Sequence, residues 1–194
     1  LSLVLGYMDT ENYSDLVFTN EVILHTGGMD TNVLSFSVKG STNEYLPKFE
    51  ISTKVLHDKI PEAFRLIEEM LYRTQIKDYK RLKEIIDEVK SRMEMRFKSS
   101  GHSVAINRAM SYYSKHGMFK EITQGISFYE FLEDISSGFE QLKDTIIGKL
   151  KELIEMIFVK NKLLVSITAD EAGYKLFAKS FASLDRKSTR LNSS

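Results

Sequence analysis

The sequence predicts an α+β fold in which an antiparallel sheet is covered by several helices. Residues 31–38 and 49–56 carry apolar side chains at roughly alternate positions, and the Gly-Ser-Thr-Asn stretch at 40–43 between them is typical of a turn, so an antiparallel hairpin is expected. From Asp58 onward, apolar residues recur every three or four positions, which predicts helices. Because the strands precede the helices instead of alternating with them, the helices are expected to lie on one side of the sheet.

The chain before the hairpin is predicted to hold one helix. Residues 1–8 are largely apolar and are expected to continue a helix or strand that begins upstream. Ser14 is a suitable N-cap for the helix that follows, and the two glycines at 27–28 are expected to end it.

The helices after the hairpin are predicted from start and stop signals. Pro61 suits the first turn of one helix, and Asp78 suits the N-cap of the next, which carries a regular apolar stripe. The Ser-Ser-Gly sequence at 99–101 should end that helix. We expect further helices at 102–113, in shorter pieces up to 137, and at 139–158. A strand is expected at 163–168 and a last helix capped by Asp170. The stripe consists of Leu82, Ile85, Ile86, Val89, Met93 and Phe97.

Composition excludes several classes of protein. The 194 residues include 27 basic and 27 acidic side chains and are 42% hydrophobic, which argues against a disordered chain and against a strongly basic nucleic-acid binder. The absence of cysteine excludes disulfides, thiol catalysis and Cys-ligated metals. No run of about 18 apolar residues is present, so no membrane partner is expected. No secretion signal is visible, which favours the cytoplasm, although the sequence starts without methionine.

A search for chemical motifs finds no complete active site. No H-E-x-x-H or H-x-x-E-H zinc pattern and no phosphate-binding glycine loop is present, so we predict no catalytic residues and no metal ligands in this chain. Glu21 and His25 are spaced as one ligand pair, but an exposed helix pair is the favoured interpretation. The basic residues at 77–83 are followed by acidic ones at helical spacing, which indicates a solvated helix face instead of a nucleic-acid partner.

Five stretches in order resemble one family: residues 6–14, 25–28, 81–85, 99–105 with Arg108 and Ala109, and 125–128. They are similar to the associated domain of presequence-protease-type peptidases, within the pitrilysin/insulinase zinc metallopeptidases. The resemblance implies a pitrilysin or mitochondrial processing peptidase-like domain whose sheet is incomplete through truncation. In that family two halves close around a peptide, the zinc motif lies in the first domain, and this chain would be the third. No catalytic residue of the family can be assigned to a position here.

We therefore divide the chain into three parts. Residues 1–174 are expected to be the non-catalytic associated domain, and residues 175–184 the start of a linker to the next domain. Residues 185–194 match the translation of a common sequencing adapter, so we interpret them as an artefact whose side chains should be unpacked.

The resemblance also gives a function and four site residues. We expect a chamber-forming fragment of a zinc metalloendopeptidase that degrades unfolded peptides, with zinc in the full-length enzyme and none bound here. Its partners would be peptide substrates and the other domains of the same chain. His102, Arg108, Tyr112 and Tyr113 would line the substrate chamber, although a packed helix–helix corner is the favoured interpretation of that region. Ser100 or Ser103 would cap the helix there. The alternative function is a free-standing helical interaction module.

Overall fold

The computed structural model describes residues 1–159 and 162–191, with side chains as far as residue 182. The elements, in chain order, are α1 (Asp15–His25), β1 (Met29–Ser37), β2 (Tyr45–Thr53), a 3-10 turn (His57–Lys59), α2 (Ile60–Tyr72), α3 (Tyr79–Ser99), α4 (Gly101–Met110), α5 (Lys115–Gln124), α6 (Ile126–Ser137), α7 (Phe139–Ile157) and α8 (Glu171–Leu191). The predicted α+β class is confirmed. Within the described ranges, no helix is both long enough and apolar enough to cross a membrane.

The predicted hairpin forms, with boundaries a few residues earlier than expected. β1 and β2 pair antiparallel, in a register that runs from Met29 opposite Thr53 to Ser37 opposite Tyr45. Between α1 and β1, Gly28 has a φ angle of 113°. Side chains with a Cβ rarely adopt this backbone conformation, so a glycine here permits the tight exit from the helix.

Two of the predicted helix caps are made. The Ser14 hydroxyl accepts a hydrogen bond from the Val17 N–H at 3.4 Å, and the Asp78 carboxylate accepts one from the Arg81 N–H at 2.9 Å. Each satisfies an N–H that has no partner within the helix. Ser100 occupies the N-cap position of α4 but makes no side-chain cap there.

The core consists of two apolar clusters. The larger one joins the predicted α3 stripe to α6 and α7, and Val4 and Met8 also belong to it. The smaller one joins α1 and α2 beneath the hairpin; its buried members are Leu5, Phe18, Leu66 and Met70. Residues 1–8 form neither a helix nor a strand, as had been expected, but a turn that feeds both clusters.

The predicted strand at 163–168 is wrong for this structure. Those residues have no regular secondary structure, and the described sheet has two strands. A strand needs a neighbouring backbone to which it can hydrogen-bond. The outer edge of β1 is occupied by α5, because Gln124 donates to the Val33 carbonyl oxygen at 3.1 Å and His116 Nε2 lies 3.1 Å from the Ser35 carbonyl oxygen.

The last helix begins where it was predicted. The Asp170 carboxylate accepts a hydrogen bond from the Gly173 N–H at 2.8 Å. Phe177 and Phe181 of α8 pack on Phe64 of α2, with ring centroids 5.5 and 6.2 Å away. Residues 175–184, interpreted as the start of a linker, lie within this helix. The interpretation of residues 185–194 depends on side chains outside the described ones.

Candidate functional site

Three of the four site residues predicted from the sequence line one open cleft. Arg108 belongs to α4, and Tyr112 and Tyr113 lie in the turn that follows it. The cleft has a volume of about 680 Å³, and Ala105, Ala109 and Ile126 complete its lining. His102 lies exposed in the first turn of α4 and is not part of the lining. The cleft therefore combines apolar surface, two phenols and one guanidinium.

Arg108 is held in place by polar groups of α5 and α6. Its Nη1 donates to Glu121 Oε1 at 2.8 Å and to Ser127 Oγ at 2.9 Å. The hydrogen bond to the Glu121 carboxylate raises the pKa of the Arg108 guanidinium above its ordinary value. On its other side, the guanidinium carbon lies 5.9 Å from the centroid of the Tyr112 ring. The side chain thus links the helix junction to the cleft.

The carboxylate that holds Arg108 is buried, with 3% of Glu121 exposed. Its Oε1 also accepts the backbone N–H of Ser127 at 3.1 Å, while Oε2 has no partner among the described residues. A Cβ at position 125 would overlap Oε2, so the close approach of this carboxylate requires Gly125. Glu121 and Ser127 were missed as partners of Arg108, although the stretch 125–128 had been singled out.

The two tyrosines of the cleft are exposed. Tyr112 and Tyr113 have 77% and 75% of their surface accessible, whereas Arg108 is half-buried. α4 has no buried residue among its ten, although it contacts both α3 and α5. Arg108 therefore serves a packed helix corner on one face of α4, and the cleft occupies another face. The expectation that these residues line a substrate chamber stays a prediction.

A second polar junction joins the N-terminal motif to α2. Glu69, with 5% exposed, accepts hydrogen bonds from the Thr10 hydroxyl at 2.6 Å, the Asn12 N–H at 3.1 Å and the Asn12 side-chain amide at 2.9 Å. Burial would raise the pKa of Glu69, but these hydrogen bonds and the charge of Arg73 outweigh it and lower that pKa. The stretch 6–14 thus fixes the start of the chain to α2.

An ion-pair network flanks the Glu69 junction. Arg65 donates to Glu62 at 2.6 Å and to Glu21 at 2.9 Å, and also to the Tyr13 hydroxyl. Glu21 pairs with His25 at 3.7 Å, as the spacing predicted for a helix pair. Together with Glu68, Glu69 and Arg73, residues of this network line a cleft of about 320 Å³.

The residues at 77–83 lie at the start of α3 and are paired. Lys83 contacts Asp87 at 2.7 Å, and Lys80 lies 4.0 Å from Glu84. The Arg81 guanidinium donates to the Tyr7 carbonyl oxygen and pairs with Asp15 at 3.2 Å. The stretches 6–14 and 81–85 therefore contact each other. Across residues 1–159 and 162–182, no group of three or more His, Cys, Asp or Glu residues is arranged to hold a metal ion.

Comparison with known families agrees with this pattern of contacts. The family of domains associated with subfamily C of the pitrilysin-type peptidases matches residues 1–135, which include both polar junctions. The chain belongs to this peptidase-associated family. Four of the five stretches that carried the resemblance meet in pairs, 6–14 with 81–85 and 99–109 with 125–128. In this member of the associated family, those motif residues fix helix junctions.

Curated relatives of this associated domain are long proteins. Protein HypA of Clostridium perfringens is 33% identical over 174 residues, or 90% of this chain. Presequence protease 1 of Arabidopsis thaliana is 29% identical over 159 residues (80% of this chain), and the mitochondrial presequence protease of Drosophila melanogaster is 24% identical over 196 residues (97%). The chain spans 18%, 15% and 19% of the lengths of these three relatives.

Proposed function

We propose that this chain is a non-catalytic domain of a larger zinc metalloendopeptidase, where it forms part of the wall of a chamber that receives unfolded peptides. The observation that carries the proposal is membership of the peptidase-associated family in a chain that spans less than a fifth of each of three relatives. Two of those relatives are named presequence proteases.

Within this proposal, zinc belongs to another part of the protein. The described residues offer no three-ligand group for a metal, so they do not fit a zinc site. Zinc and the general base that activates water are therefore assigned to the remainder of the polypeptide. This chain would contribute surface and support, and no chemical step is assigned to its residues.

The cleft beside Arg108 is the part of the chain that we assign to the peptide. Exposed tyrosines offer a large contact area at low entropic cost, and their hydroxyl groups can bind a peptide backbone. Arg108 is fixed through Nη1, and the remaining N–H groups of its guanidinium are available to peptide carbonyl or carboxylate oxygens. His102 is exposed one turn earlier on α4 and would contact a longer peptide.

The coding sequence on both sides of this chain tests the larger assignment. We expect an upstream reading frame that continues into this chain and encodes H-x-x-E-H. An in-frame start codon immediately before Leu1 and a stop codon after the chain would contradict the proposal and favour the free-standing interaction module. The chain alone, supplied with zinc, should not cleave a fluorogenic peptide.

The role of the cleft is tested in the complete gene product. Replacing Tyr112 and Tyr113 together by alanine should raise KM for an unfolded peptide several-fold and leave kcat nearly unchanged, because the zinc site is untouched. Tyr174→Ala is the matched control, since this tyrosine is 56% exposed on α8, outside the cleft. Equal kinetic effects of the two changes, or none from the double change, would remove the cleft from the substrate path.

A further inference from the structure

Residues 163–168 have the sequence of a strand but lack a strand's hydrogen bonds. The order Leu-Leu-Val-Ser-Ile-Thr is uncharged and rich in β-branched residues, which favour strands. No backbone hydrogen bond joins residues 163–169 to another described part of the chain. Their N–H and C=O groups therefore face solvent in a segment whose composition is typical of a sheet.

The side chains of this segment are exposed as well. Leu163, Leu164, Val165 and Ile167 have 59%, 75%, 41% and 36% of their surface accessible. Loops that stay in solvent are generally polar, whereas here four large apolar side chains lie within five residues. Native proteins normally cover such segments because they invite pairing with other chains.

Both ends of the segment are fixed beside β2. At its start, the Phe158 ring packs edge-on against Phe49 of β2, with centroids 5.2 Å apart. At its end, Asp170 lies 3.3 Å from His57, which follows β2 after a short link. The segment thus runs from beside β2 towards the residue region that follows β2, in the same chain direction.

The outer edge of β2 is also open. The N–H of Val38 donates to the Glu44 carbonyl oxygen, so the hydrogen-bonded pairs alternate from that point and the backbone groups of Phe49, Ile51 and Thr53 point away from β1. On β1 the corresponding outward carbonyls accept side-chain hydrogen bonds from α5. No described residue makes such a hydrogen bond to the outward groups of β2.

We infer that an additional β-strand, supplied by a part of the same larger polypeptide outside residues 1–194, docks on the open strand edge formed by β2 and residues 163–168. Its backbone would satisfy the outward groups of Phe49, Ile51 and Thr53 or those of residues 163–168. The inference rests on the proposed function, in which this chain is one portion of a longer protein. A two-stranded hairpin alone is marginally stable, and further strands are the usual remedy.

The segment also defines the chemistry of its partner. No charged residue lies between Lys162 and Asp170, so the docking strand is expected to be an uncharged run of about five or six apolar residues, as buried strands are. A transient peptide substrate is a poorer occupant. It would leave the four apolar side chains in water whenever the chamber was empty, whereas a strand of the same polypeptide covers them permanently.

Amide hydrogen exchange measured by mass spectrometry on two proteins tests the inference. In the 194-residue chain alone, the amides of residues 163–169 should exchange nearly as fast as those of an unfolded peptide. In the complete gene product they should exchange at least about 100-fold more slowly, as in a paired strand. Amides in the middle of α3 should be slow in both proteins, and those of the turn at 40–43 fast in both.

Two results would overturn the inference. One is fast exchange at 163–169 in the complete gene product. The other is slow exchange in the 194-residue chain that is lost on dilution, because a second copy would then be the occupant. Peptidase activity is measured on the same sample. A protected segment in an inactive protein removes the proposed function but keeps the docking strand, and an active protein with a fast segment does the reverse.

A pair of variants of the complete gene product separates backbone pairing from simple burial. Val165→Pro removes an N–H and should speed exchange at the neighbouring amides at least tenfold. Val165→Thr keeps the N–H and the β-branched shape and should leave those amides protected. Protection that survives in both variants would show that something other than a strand covers the segment.

Discussion

Replacing Glu69 by glutamine tests whether the buried carboxylate holds the N-terminal motif onto α2. Glu69 is 5% exposed and accepts three hydrogen bonds, two at Oε1 and one at Oε2, from Thr10 and Asn12. Glutamine has the same size but offers one oxygen and one NH2 group. If its oxygen takes the place of Oε1, its NH2 group faces the Asn12 side-chain amide, and two donors oppose each other.

The expected magnitude follows from these contacts. One hydrogen bond to a charged acceptor is lost and two others become neutral, which together should lower the free energy of unfolding by about 3 kcal/mol. For a domain of this size, that loss corresponds to a fall in Tm of about 6–12 °C. Arg73, 3.6 Å from Oε2, also loses its partner, but it is half exposed and contributes little.

Urea denaturation followed by circular dichroism at pH 7 measures the effect. Glu88→Gln is the matched control, because Glu88 is 62% exposed on α3 and lies 3.9 Å from Arg92. Its free energy of unfolding should stay within about 0.5 kcal/mol of the original protein. A Glu69→Gln variant as stable as the control would refute the reasoning, since the junction would then not depend on the charge of Glu69.

Two further predictions concern pH and packing. Hydrogen bonding lowers the pKa values of Glu69 and Asp87 in the folded chain below their ordinary values, against the opposing effect of burial. Their stabilising contribution is therefore complete above the unfolded values near about 4 and is lost as pH falls through the lowered folded values. Urea midpoints should drop below about pH 4, and the difference between the original protein and Glu69→Gln should shrink there. A difference that widens in acid would contradict this. Gly125→Ala should lower the free energy of unfolding by about 1–3 kcal/mol because its Cβ would overlap the Glu121 carboxylate. Gly148→Ala, where a Cβ meets nothing within 4 Å in α7, should instead gain about 0.5–1 kcal/mol; thermal melts of both variants with the same sign would contradict the argument.

Local signals in the sequence were sufficient for the caps and the amphipathic helices. Ser14 and Asp78 were identified because a short polar side chain before an apolar stripe has one favourable local role, and both caps form. The α3 stripe was found because its period matches one helix face, and five of its six members are buried. The strand at 163–168 failed because strand formation depends on a neighbouring backbone that spacing along the chain does not reveal.

The candidate site was found only in part. The stretch around Arg108 and the stretch 125–128 were both singled out, but no spacing rule connects residues on different helices. The fold brings Arg108, Glu121 and Ser127 within hydrogen-bonding distance, and it places His102 outside the cleft. Similarly, nothing along the chain links Thr10 to Glu69, whose contact spans 59 positions.

The sequence by itself determined the fold class, most helix boundaries and the family, because these depend on local propensity, periodicity and ordered short motifs. Only the tertiary structure decided what the motifs do. The buried carboxylates of Glu69 and Glu121 require partners, and those partners come from segments that are distant in the chain and adjacent in space. The same reason explains the open strand edge, since a strand's hydrogen bonds are satisfied by another strand and not by the residues beside it in sequence.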